Sequence, residues 1–339
     1  MLKKTAQTAL FWLRNARGGA LFHSFFPTVL ALTMAGSSEG FSLLMGLIAL
    51  VGVFSAHMSV NLLDDYFDYI NKSPTVREDL VHRGIRARLG KCEYLTSNSA
   101  SVKQLKTVIT VLGCFALTCG VIIFLFRGVT VLILLAIAAI LGISYSGGPL
   151  KLSYRGLGGL AILLLFGPLL MMGVYFSAAG VLDFSVIFVS ISTGLLVVNA
   201  GHIHDIMDFE PDKEVGKMTF SVLLGSKRAM LIALVIILAC IFGAVAAGVF
   251  TGFLSSFYLF VFLSLPLAVA LYWMTSVFVH EPDREFAPAP WMGPMPGWAQ
   301  IKEAGIDWFM IRWYLARNLQ TLFCLLLIAS SLIVLASGR

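Results

Sequence analysis

Long apolar stretches alternate with short polar ones along almost the whole chain. Each stretch is about as long as a bilayer-crossing helix needs to be. They lie at roughly 20–37, 41–63, 104–126, 128–146, 157–180, 183–203, 229–250, 253–279 and 319–337. The hydrophobic core of a soluble protein does not contain so many continuous apolar stretches of this length. The pattern therefore predicts an all-α, polytopic membrane protein with nine transmembrane helices.

The basic residues set the expected orientation. If the N-terminus faces the cytoplasm, every Lys and Arg except Arg127 and Arg339 lies in or beside an inner segment, which is what the positive-inside rule describes. A missing or surplus span would destroy that asymmetry. We therefore expect a multi-pass protein of the cytoplasmic membrane with its N-terminus inside. The inner polar loops are expected at 64–103, 147–156, 204–228 and 280–318.

The amino-acid composition agrees with this topology and indicates which molecules surround the protein. Of 339 residues, 58% are hydrophobic and 12% are charged, whereas an ordinary soluble chain has about 25% charged residues. The net charge of +6 is explained by anchoring to the inner leaflet. The expected surroundings are thus a lipid bilayer and no nucleic acid. We expect a single integral membrane domain over 1–339, and nothing implies an obligate protein partner.

A first acidic cluster, NLLDDYFDYINK, ends the second apolar stretch. Asn61, Asp65 and Asp68 follow a four-then-three spacing, which places them on one face of a helix. His57 lies one turn earlier on that face. Asp64 points elsewhere and is expected to be a solvated helix-end residue.

A second acidic cluster, HIHDIMDFEPDKEVGKMT, closes the sixth apolar stretch. Asp205, Asp208 and Asp212 follow the reverse spacing, and Pro211 indicates that the helix bends or ends before Asp212. Both clusters close an even-numbered helix on the same side of the membrane. The chain is therefore expected to contain two pseudo-repeated four-helix halves, each with one acidic cluster.

Two facing carboxylate clusters repel each other unless a cation lies between them. Oxygen-only ligands suit Mg²⁺, which binds through a few carboxylates and commonly keeps water and substrate phosphates. The sequence therefore favours a clamp for a metal ion and a diphosphate. Basic residues that follow the clusters could bind phosphate oxygens, or could be ordinary inner-surface charge: Arg77, Arg83, Arg86, Arg88, Lys91, Lys213, Lys217, Lys227 and Arg228.

A third motif, YSGGPLKLSYRGLGG, lies between the fourth and fifth apolar stretches. Its Gly-Gly-Pro run breaks the helix. Lys151 and Arg155 project from this tight loop, flanked by Tyr145 and Tyr154. Taken alone, such a glycine-rich loop is often only a turn.

Together the three motifs resemble the UbiA superfamily of intramembrane prenyltransferases. That family is a nine-helix bundle with N-x-x-x-D-x-x-(x)-D on the second helix and D-x-x-x-D on the sixth. The first motif is matched by Asn61, Asp65 and Asp68, and the second by Asp208 and Asp212, with a G-K-x-T sequence following it. The resemblance extends over spans one to eight.

The third motif is similar to the branch of that family that prenylates 1,4-dihydroxy-2-naphthoate in menaquinone synthesis, whose pattern is Y-T-G-G-P…Y-R-G-L-G-E. Gly159 replaces the final acidic residue. The loop after Asp68 lacks a clear R-x-G-P, and Gly201 and His202 stand where that branch often has asparagine-rich sequence. These departures bear on the acceptor more than on the diphosphate site.

The resemblance implies Mg²⁺-dependent transfer of a polyprenyl group from polyprenyl diphosphate to an aromatic acceptor. With 1,4-dihydroxy-2-naphthoate as acceptor, the products are demethylmenaquinone and diphosphate. The implied Mg²⁺ ligands are Asp65, Asp68, Asp208 and Asp212, with Asn61 adding an oxygen ligand or a hydrogen bond. The expected substrate-binding residues are Lys151, Lys91, Arg88, Asp205 and Lys217. Tyr145 would stabilise an allylic cation through its ring face. Three histidines are expected either to act as bases, to orient the acceptor, or only to pack within the bundle: His57, His202 and His204.

Alternatives stay open at this point. The acceptor could be 4-hydroxybenzoate, a chlorophyllide or a glycerol phosphate lipid. A CDP-alcohol phosphotransferase would need D-G-x-x-A-R after Asp68, which is missing. An ion-coupled transporter would be expected to carry ionisable residues at mid-membrane. The segment 281–318, rich in Pro and Trp, is expected to be an interfacial loop with an amphipathic helix; a lid over the site is the alternative.

Overall fold

The computed structural model describes residues 2–71, 73–83 and 92–338, which form helices joined by short turns. No strand occurs within these ranges, and an isolated β-bridge joins Arg155 to Met218. The α-helices are α1 (Leu2–Asn15), α2 (Phe22–Ala35), α3 (Leu43–Ile70), α4 (Ser73–His82), α5 (Glu93–Thr96), α6 (Val102–Arg127), α7 (Thr130–Ser146), α8 (Gly158–Leu164), α9 (Leu170–Ala179), α10 (Ser185–Met207), α11 (Phe209–Glu214), α12 (Phe220–Leu224), α13 (Lys227–Phe250), α14 (Leu265–His280), α15 (Trp298–Glu303) and α16 (Asp307–Ala336). Short 3₁₀ segments are Gly18–Ala20, Leu152–Tyr154, Ser256–Ser264 and Pro290–Met292, and Leu165–Leu169 is a π-helical turn.

The described chain contains 8 helical segments that are long and apolar enough to cross a membrane. A ninth apolar helix, α7, has 17 residues, which gives a length of about 26 Å. Each of the nine predicted stretches corresponds to one of these segments. The prediction of an all-α bundle with nine membrane-crossing segments is thereby confirmed.

Two helices extend beyond the predicted apolar stretches. α3 continues past 63 to Ile70, so the first acidic cluster lies on the helix, as its spacing predicts. α16 begins at Asp307, before the predicted stretch 319–337, and buries Phe309 and Arg312 in its first turns. In both places polar side chains lower the local hydropathy although they face protein and not water.

The two halves of the chain pack in corresponding ways. In the first half α3 packs mainly against α6, and in the second α10 packs mainly against α13. The bundle is closed by α2 and α16, which pack against each other; α2 also packs on α9 and α16 on α10. This arrangement places the C-terminal ends of α3 and α10, with their acidic clusters, around one central region.

A kink in the fifth span brings that span close to α10. Pro168 lies in the π-helical turn between α8 and α9, where it cannot donate a backbone hydrogen bond. A Cβ atom on Gly167 would lie 2.4 Å from the carbonyl oxygen of Ser190, and one on Gly194 would lie 2.6 Å from that of Leu163. Only glycine permits this backbone approach.

The segment before the last span is held against α16. Tyr314 Oη donates to the carbonyl of Pro296 at 2.7 Å, and Asn318 Nδ2 donates to the carbonyl of Met292 at 2.7 Å. Arg317 also donates to a carbonyl of this segment. These bonds favour the interfacial loop over the lid, since a lid would have to break them to open.

Candidate active site

The first acidic cluster is buried at the inner end of α3. Asp64, Asp65 and Asp68 are all buried, Asp68 with only 2% of its surface exposed. The expectation that Asp64 is a solvated helix-end residue is wrong. It accepts hydrogen bonds from Ser146 at the end of α7 and from Arg17 Nη2 at 3.1 Å. Asp64 faces these neighbours because α7 packs against α3 on that side.

Arg17 is the cation of this first cluster. Its guanidinium donates to Asp65 as well as Asp64, and Tyr94 Oη donates to the other oxygen of Asp65 at 3.2 Å. Burial disfavours the charge of Arg17, but the two carboxylates outweigh that effect, and the pKa of Arg17 is raised. Sequence reasoning missed this residue. The Gly-Gly pair that follows it was the available signal, since it accommodates the tight turn before α2.

Asn61 supports this arrangement through a hydrogen bond to the backbone next to Arg17. Its Nδ2 donates to the carbonyl of Ala16 at 3.0 Å, which fixes the turn that carries Arg17. Arg17 itself has a left-handed backbone, with φ of 57°. Asn61 therefore positions a cation through the neighbouring backbone, by a hydrogen bond from its amide nitrogen; sequence had offered an oxygen ligand or a hydrogen bond as its role.

The third motif contributes through Tyr154. Its hydroxyl donates to Asp68 Oδ1 at 2.7 Å, and burial together with Asp68 raises the pKa of this phenol. Lys217 Nζ lies over the same ring, 5.6 Å from its centroid. The bridge between Arg155 and Met218 holds the two loops together. One glycine-rich loop and one lysine-bearing loop thus meet at the first acidic cluster.

Lys217 connects the two acidic clusters. Burial lowers the pKa of its ammonium group, but Asp68 and Asp64 from the first cluster and Asp212 from the second raise it more, and the net shift is upward. A single cation therefore lies in the field of carboxylates from both halves of the chain.

The second cluster lies where α10 ends. The helix stops at Met207 and a separate helix, α11, follows, as Pro211 indicated. Arg77 spans the pair: its Nη1 lies 3.1 Å from Asp208 Oδ2 and its Nη2 lies 2.6 Å from Asp212 Oδ1. All three side chains are buried. Arg77 was predicted only as a possible phosphate ligand, and its pairing with the distant cluster was not foreseen.

Other predicted residues surround the same region. The carboxylate of Asp205 interacts electrostatically with Asp212 and Lys217, and Tyr145 at the inner end of α7 interacts with Asp64 and Lys217. His204 Nδ1 lies 3.8 Å from Asp208 Oδ2. His202 is different: it is buried, and its Nε2 contacts the carbonyl of Met230 at 3.0 Å, as in the packing alternative.

Several predicted basic residues are not brought to the site. Lys151 is exposed, with a left-handed backbone at φ of 43°, and within the described ranges no ion pair joins it to a carboxylate. Arg83 is exposed and pairs with Asp79 at 3.4 Å. Lys213, Lys227 and Arg228 are exposed. The predicted ligands Arg86, Arg88 and Lys91 lie outside the described residues.

The donor set fits a magnesium ion that is shared with a phosphate ligand. In the described part of the chain no three His, Cys, Asp or Glu side chains surround one point closely enough to hold a metal ion by themselves. Magnesium, however, usually binds through one or two carboxylates and completes its shell with water and substrate phosphates. The pairs Asp65–Asp68 and Asp208–Asp212 offer such oxygens on two sides of Lys217.

The sequence of the chain matches the model of the UbiA prenyltransferase family over residues 24–292. The chain belongs to the UbiA prenyltransferase family. The resemblance seen in the three motifs is thereby confirmed, and the chain is a prenyltransferase of the membrane. The ion-coupled transporter is rejected as an alternative.

Curated relatives within the UbiA family include 1,4-dihydroxy-2-naphthoate octaprenyltransferases. The one from Haemophilus influenzae is 26% identical over 274 residues, covering 76% of this chain and 82% of the relative. The one from Escherichia coli is 28% identical over 219 residues, covering 64% and 70%.

Solved structures share the UbiA fold. A digeranylgeranylglyceryl phosphate synthase superposes with a TM-score of 0.61 at 14% identity, over 96% of this chain and 99% of that one. A UbiA homologue from Archaeoglobus fulgidus, solved with GPP and Mg²⁺ bound, has a TM-score of 0.56 at 16% identity, over 91% and 99%. At these identities the likeness establishes the fold.

Proposed function

We propose that this prenyltransferase uses Mg²⁺ to transfer a polyprenyl group from polyprenyl diphosphate to 1,4-dihydroxy-2-naphthoate, giving diphosphate, CO₂ and the reduced (quinol) form of demethylmenaquinone. The observation that carries the proposal is the position of Lys217, which follows the second motif, over the ring of Tyr154, whose hydroxyl donates to Asp68 of the first motif. The acceptor is supported by the curated relatives, which are named for it. The metal and the diphosphate are supported by the A. fulgidus homologue, which binds GPP and Mg²⁺.

The residues that would hold Mg²⁺ are Asp65, Asp68, Asp208 and Asp212. When bound, the ion supplies positive charge that stabilises the departing diphosphate. The chain supplies three further cations of its own for that purpose, Arg17, Arg77 and Lys217. Guanidinium groups bind phosphate oxygens well because their N–H groups form a rigid fork. In the structure both arginines already have carboxylate partners, so binding of the diphosphate exchanges one anionic partner for another.

The remaining proposed roles concern the prenyl group and the acceptor. Tyr145 lies beside the first cluster, where its ring face can stabilise positive charge that develops on an allylic carbon. Attack by the electron-rich ring then forms the new carbon–carbon bond, and loss of CO₂ from the carboxyl-bearing carbon restores the aromatic ring. Lys151, Arg88 and Lys91 stay proposed contacts of the diphosphate, with Lys217 better placed than Lys151.

The proposed site faces the cytoplasm. Asp68 and Asp208 lie at the ends of α3 and α10, on the side that carries almost all basic residues. A polar diphosphate head can stay at that surface while its apolar chain lies among the helices or in the bilayer. The proposed orientation, with the N-terminus inside, follows from the positive-inside rule.

The proposal is tested with purified protein, radiolabelled polyprenyl diphosphate and a panel of acceptors, with and without EDTA. We expect lipid-soluble product from 1,4-dihydroxy-2-naphthoate, and its loss with EDTA. Product from another acceptor alone would overturn the naphthoate assignment, and EDTA-resistant product would overturn the use of a metal. Asp65→Asn is expected to abolish transfer in a folded protein, whereas Asp79→Asn, an exposed carboxylate, is the matched control.

A further inference from the structure

Four polar side chains from three helices meet inside the bundle, on the membrane side of the aspartates. They are His23 and Ser24 of α2, His57 of α3 and Gln320 of α16. His23 Nδ1 lies 2.6 Å from Gln320 Oε1, and His57 Nδ1 lies 2.8 Å from Ser24 Oγ. Hydrogen-bonding groups inside membrane helices cost free energy, and for that reason they commonly mark substrate sites.

The hydrogen bonds fix which ring nitrogen carries the proton. An amide oxygen only accepts, so His23 donates from Nδ1 to Gln320. The hydroxyl of Ser24 has one proton and two contacts, the carbonyl of Leu21 at 3.1 Å and His57 Nδ1 at 2.8 Å; both are hydrogen bonds only when His57 donates from Nδ1. In a neutral imidazole the second nitrogen is then an acceptor. Both histidines therefore offer Nε2 as a hydrogen-bond acceptor, and neither Nε2 has a hydrogen bond within residues 2–71, 73–83 and 92–338.

Gln320 adds a donor. Its side chain is fully buried, with 0% exposure, and its Nε2 finds no hydrogen-bond partner among the described residues. A buried amide N–H without a partner is rare in native structures and calls for an explanation such as a ligand. Two acceptors and one unsatisfied donor thus come together in one place.

Phe166 gives the cluster an aromatic wall. It lies in the π-helical turn of the fifth span, and both histidine rings meet it edge-on, with centroid separations of 6.4 Å for His23 and 4.9 Å for His57. The two imidazole rings are only half-buried although they lie within the bundle. Their free edges are therefore accessible to a small molecule.

The cluster adjoins the proposed diphosphate site. His57 lies two turns before Asp65 on α3, an axial separation of about 12 Å. The charge of Arg17, which binds Asp65, acts electrostatically on the His57 ring. A ring held at His57 would thus lie beyond the diphosphate, on the side towards the bundle interior, where a prenyl chain enters.

We propose that His57, His23 and Gln320 bind the aromatic acceptor, with the two Nε2 atoms accepting from its hydroxyl groups and Gln320 Nε2 donating to an oxygen substituent. The substrate class is a hydroxylated aromatic compound that carries a second oxygen function, packed against Phe166. The assignment rests on the proposed function, since it assumes an aromatic acceptor. A glycerol phosphate lipid has no ring for Phe166 to contact.

The first test measures binding of each substrate separately, without turnover. Tryptophan fluorescence titration gives Kd for 1,4-dihydroxy-2-naphthoate and for the Mg²⁺–prenyl diphosphate. His57→Phe and Gln320→Leu are expected to raise the Kd of the acceptor about tenfold, because each leaves a buried polar group of the ligand unpaired. The Kd of the prenyl diphosphate should change by less than about twofold. His57→Gln, which keeps a hydrogen-bonding group, should recover part of the acceptor affinity.

His280→Phe is the matched control, since this histidine is exposed at the end of α14 and bonds only within its own helix. An unchanged acceptor Kd in His57→Phe, or equal losses for both substrates, would overturn the inference. The wild-type protein distinguishes the two proposals. If the wild type prenylates 1,4-dihydroxy-2-naphthoate while His57→Phe binds this acceptor with unchanged Kd, the proposed acceptor site is wrong and the proposed function stands. If the wild type binds no aromatic acceptor, both fail.

The second test uses analogues of the acceptor that lack one hydroxyl. His57→Phe should raise the Kd by a smaller factor for the analogue that lacks the hydroxyl bound by His57, since no hydrogen bond is then lost. A constant penalty for every analogue would show that the substitution acts through packing alone, and would overturn the hydrogen-bonding role.

Discussion

Arg77 and Asp212 are joined by a 2.6 Å hydrogen bond although 135 residues separate them along the chain. The same guanidinium donates to Asp208. A residue that follows the first acidic motif therefore neutralises the second. This pairing ties α4 to the C-terminal end of α10.

Replacing Arg77 should destabilise the protein. Arg77→Met leaves two buried carboxylates without their cation, and removing one partner of a buried ion pair costs about 3–5 kcal/mol. Thermal unfolding in detergent should show a clear fall in Tm, together with loss of prenyl transfer. Arg83→Met, which removes an exposed pair with Asp79, is the control and should leave Tm unchanged. Equal shifts for the two variants would contradict this account.

Arg17 should matter for catalysis more than its place outside the motifs suggests. Arg17→Met removes one of the cations next to Asp65, and loss of one such charge-stabilising group typically lowers kcat about a hundredfold. Arg14→Met, one helical turn away and exposed, should keep full activity. Steady-state kinetics of both variants decide the matter. Similar kcat values for Arg17→Met and the wild type would refute the role.

Tyr154 should act through both its hydroxyl and its ring. Tyr154→Phe removes the donor to Asp68 and should lower kcat/KM roughly tenfold, since a hydrogen bond to a charged group contributes about 1.5–3 kcal/mol. Tyr154→Leu also removes the ring that Lys217 contacts, and should lower kcat/KM further than Tyr154→Phe does. Tyr272→Phe on α14 controls for the loss of a phenol. Equal activity of Tyr154→Phe and Tyr154→Leu would exclude a role for the ring.

Gly293 should be harder to replace than Gly297. Its backbone, with φ of 83° and ψ of −176°, lies in a region that is almost exclusive to glycine, and a Cβ atom would lie 2.8 Å from Asn318 Nδ2. Gly297, with φ of 73° and ψ of 21°, is left-handed but has space around it. Gly293→Ala should therefore lower Tm more, by the equivalent of about 1–3 kcal/mol. Equal Tm values would show that the segment is not fixed against α16.

Sequence reasoning found the aspartates because their spacing is local. Asp65 and Asp68 are related by the period of one helix, and the apolar stretch that precedes them defines that helix. The span boundaries were less accurate, because α3 and α16 carry buried polar residues near their inner ends. A hydropathy pattern assigns such residues to loops, whereas the helix continues wherever neighbouring helices satisfy them.

The ion pairs could not be found in this way. Which carboxylate Arg77 or Arg17 meets depends on how distant helices pack, and the local sequence of either arginine does not name that partner. Lys151 projects from the glycine-rich loop with its side chain exposed, and its role as a diphosphate contact stays a prediction. The same loop reaches the site through Tyr154 instead.

The cations that follow the two motifs are exchanged between the halves of the chain. Arg77 comes after the first motif and serves the aspartates of the second; Lys217 comes after the second motif and lies in the field of Asp68 from the first. Neither half holds a complete site. The second half alone would therefore leave the buried carboxylates of Asp208 and Asp212 without the guanidinium that pairs with them.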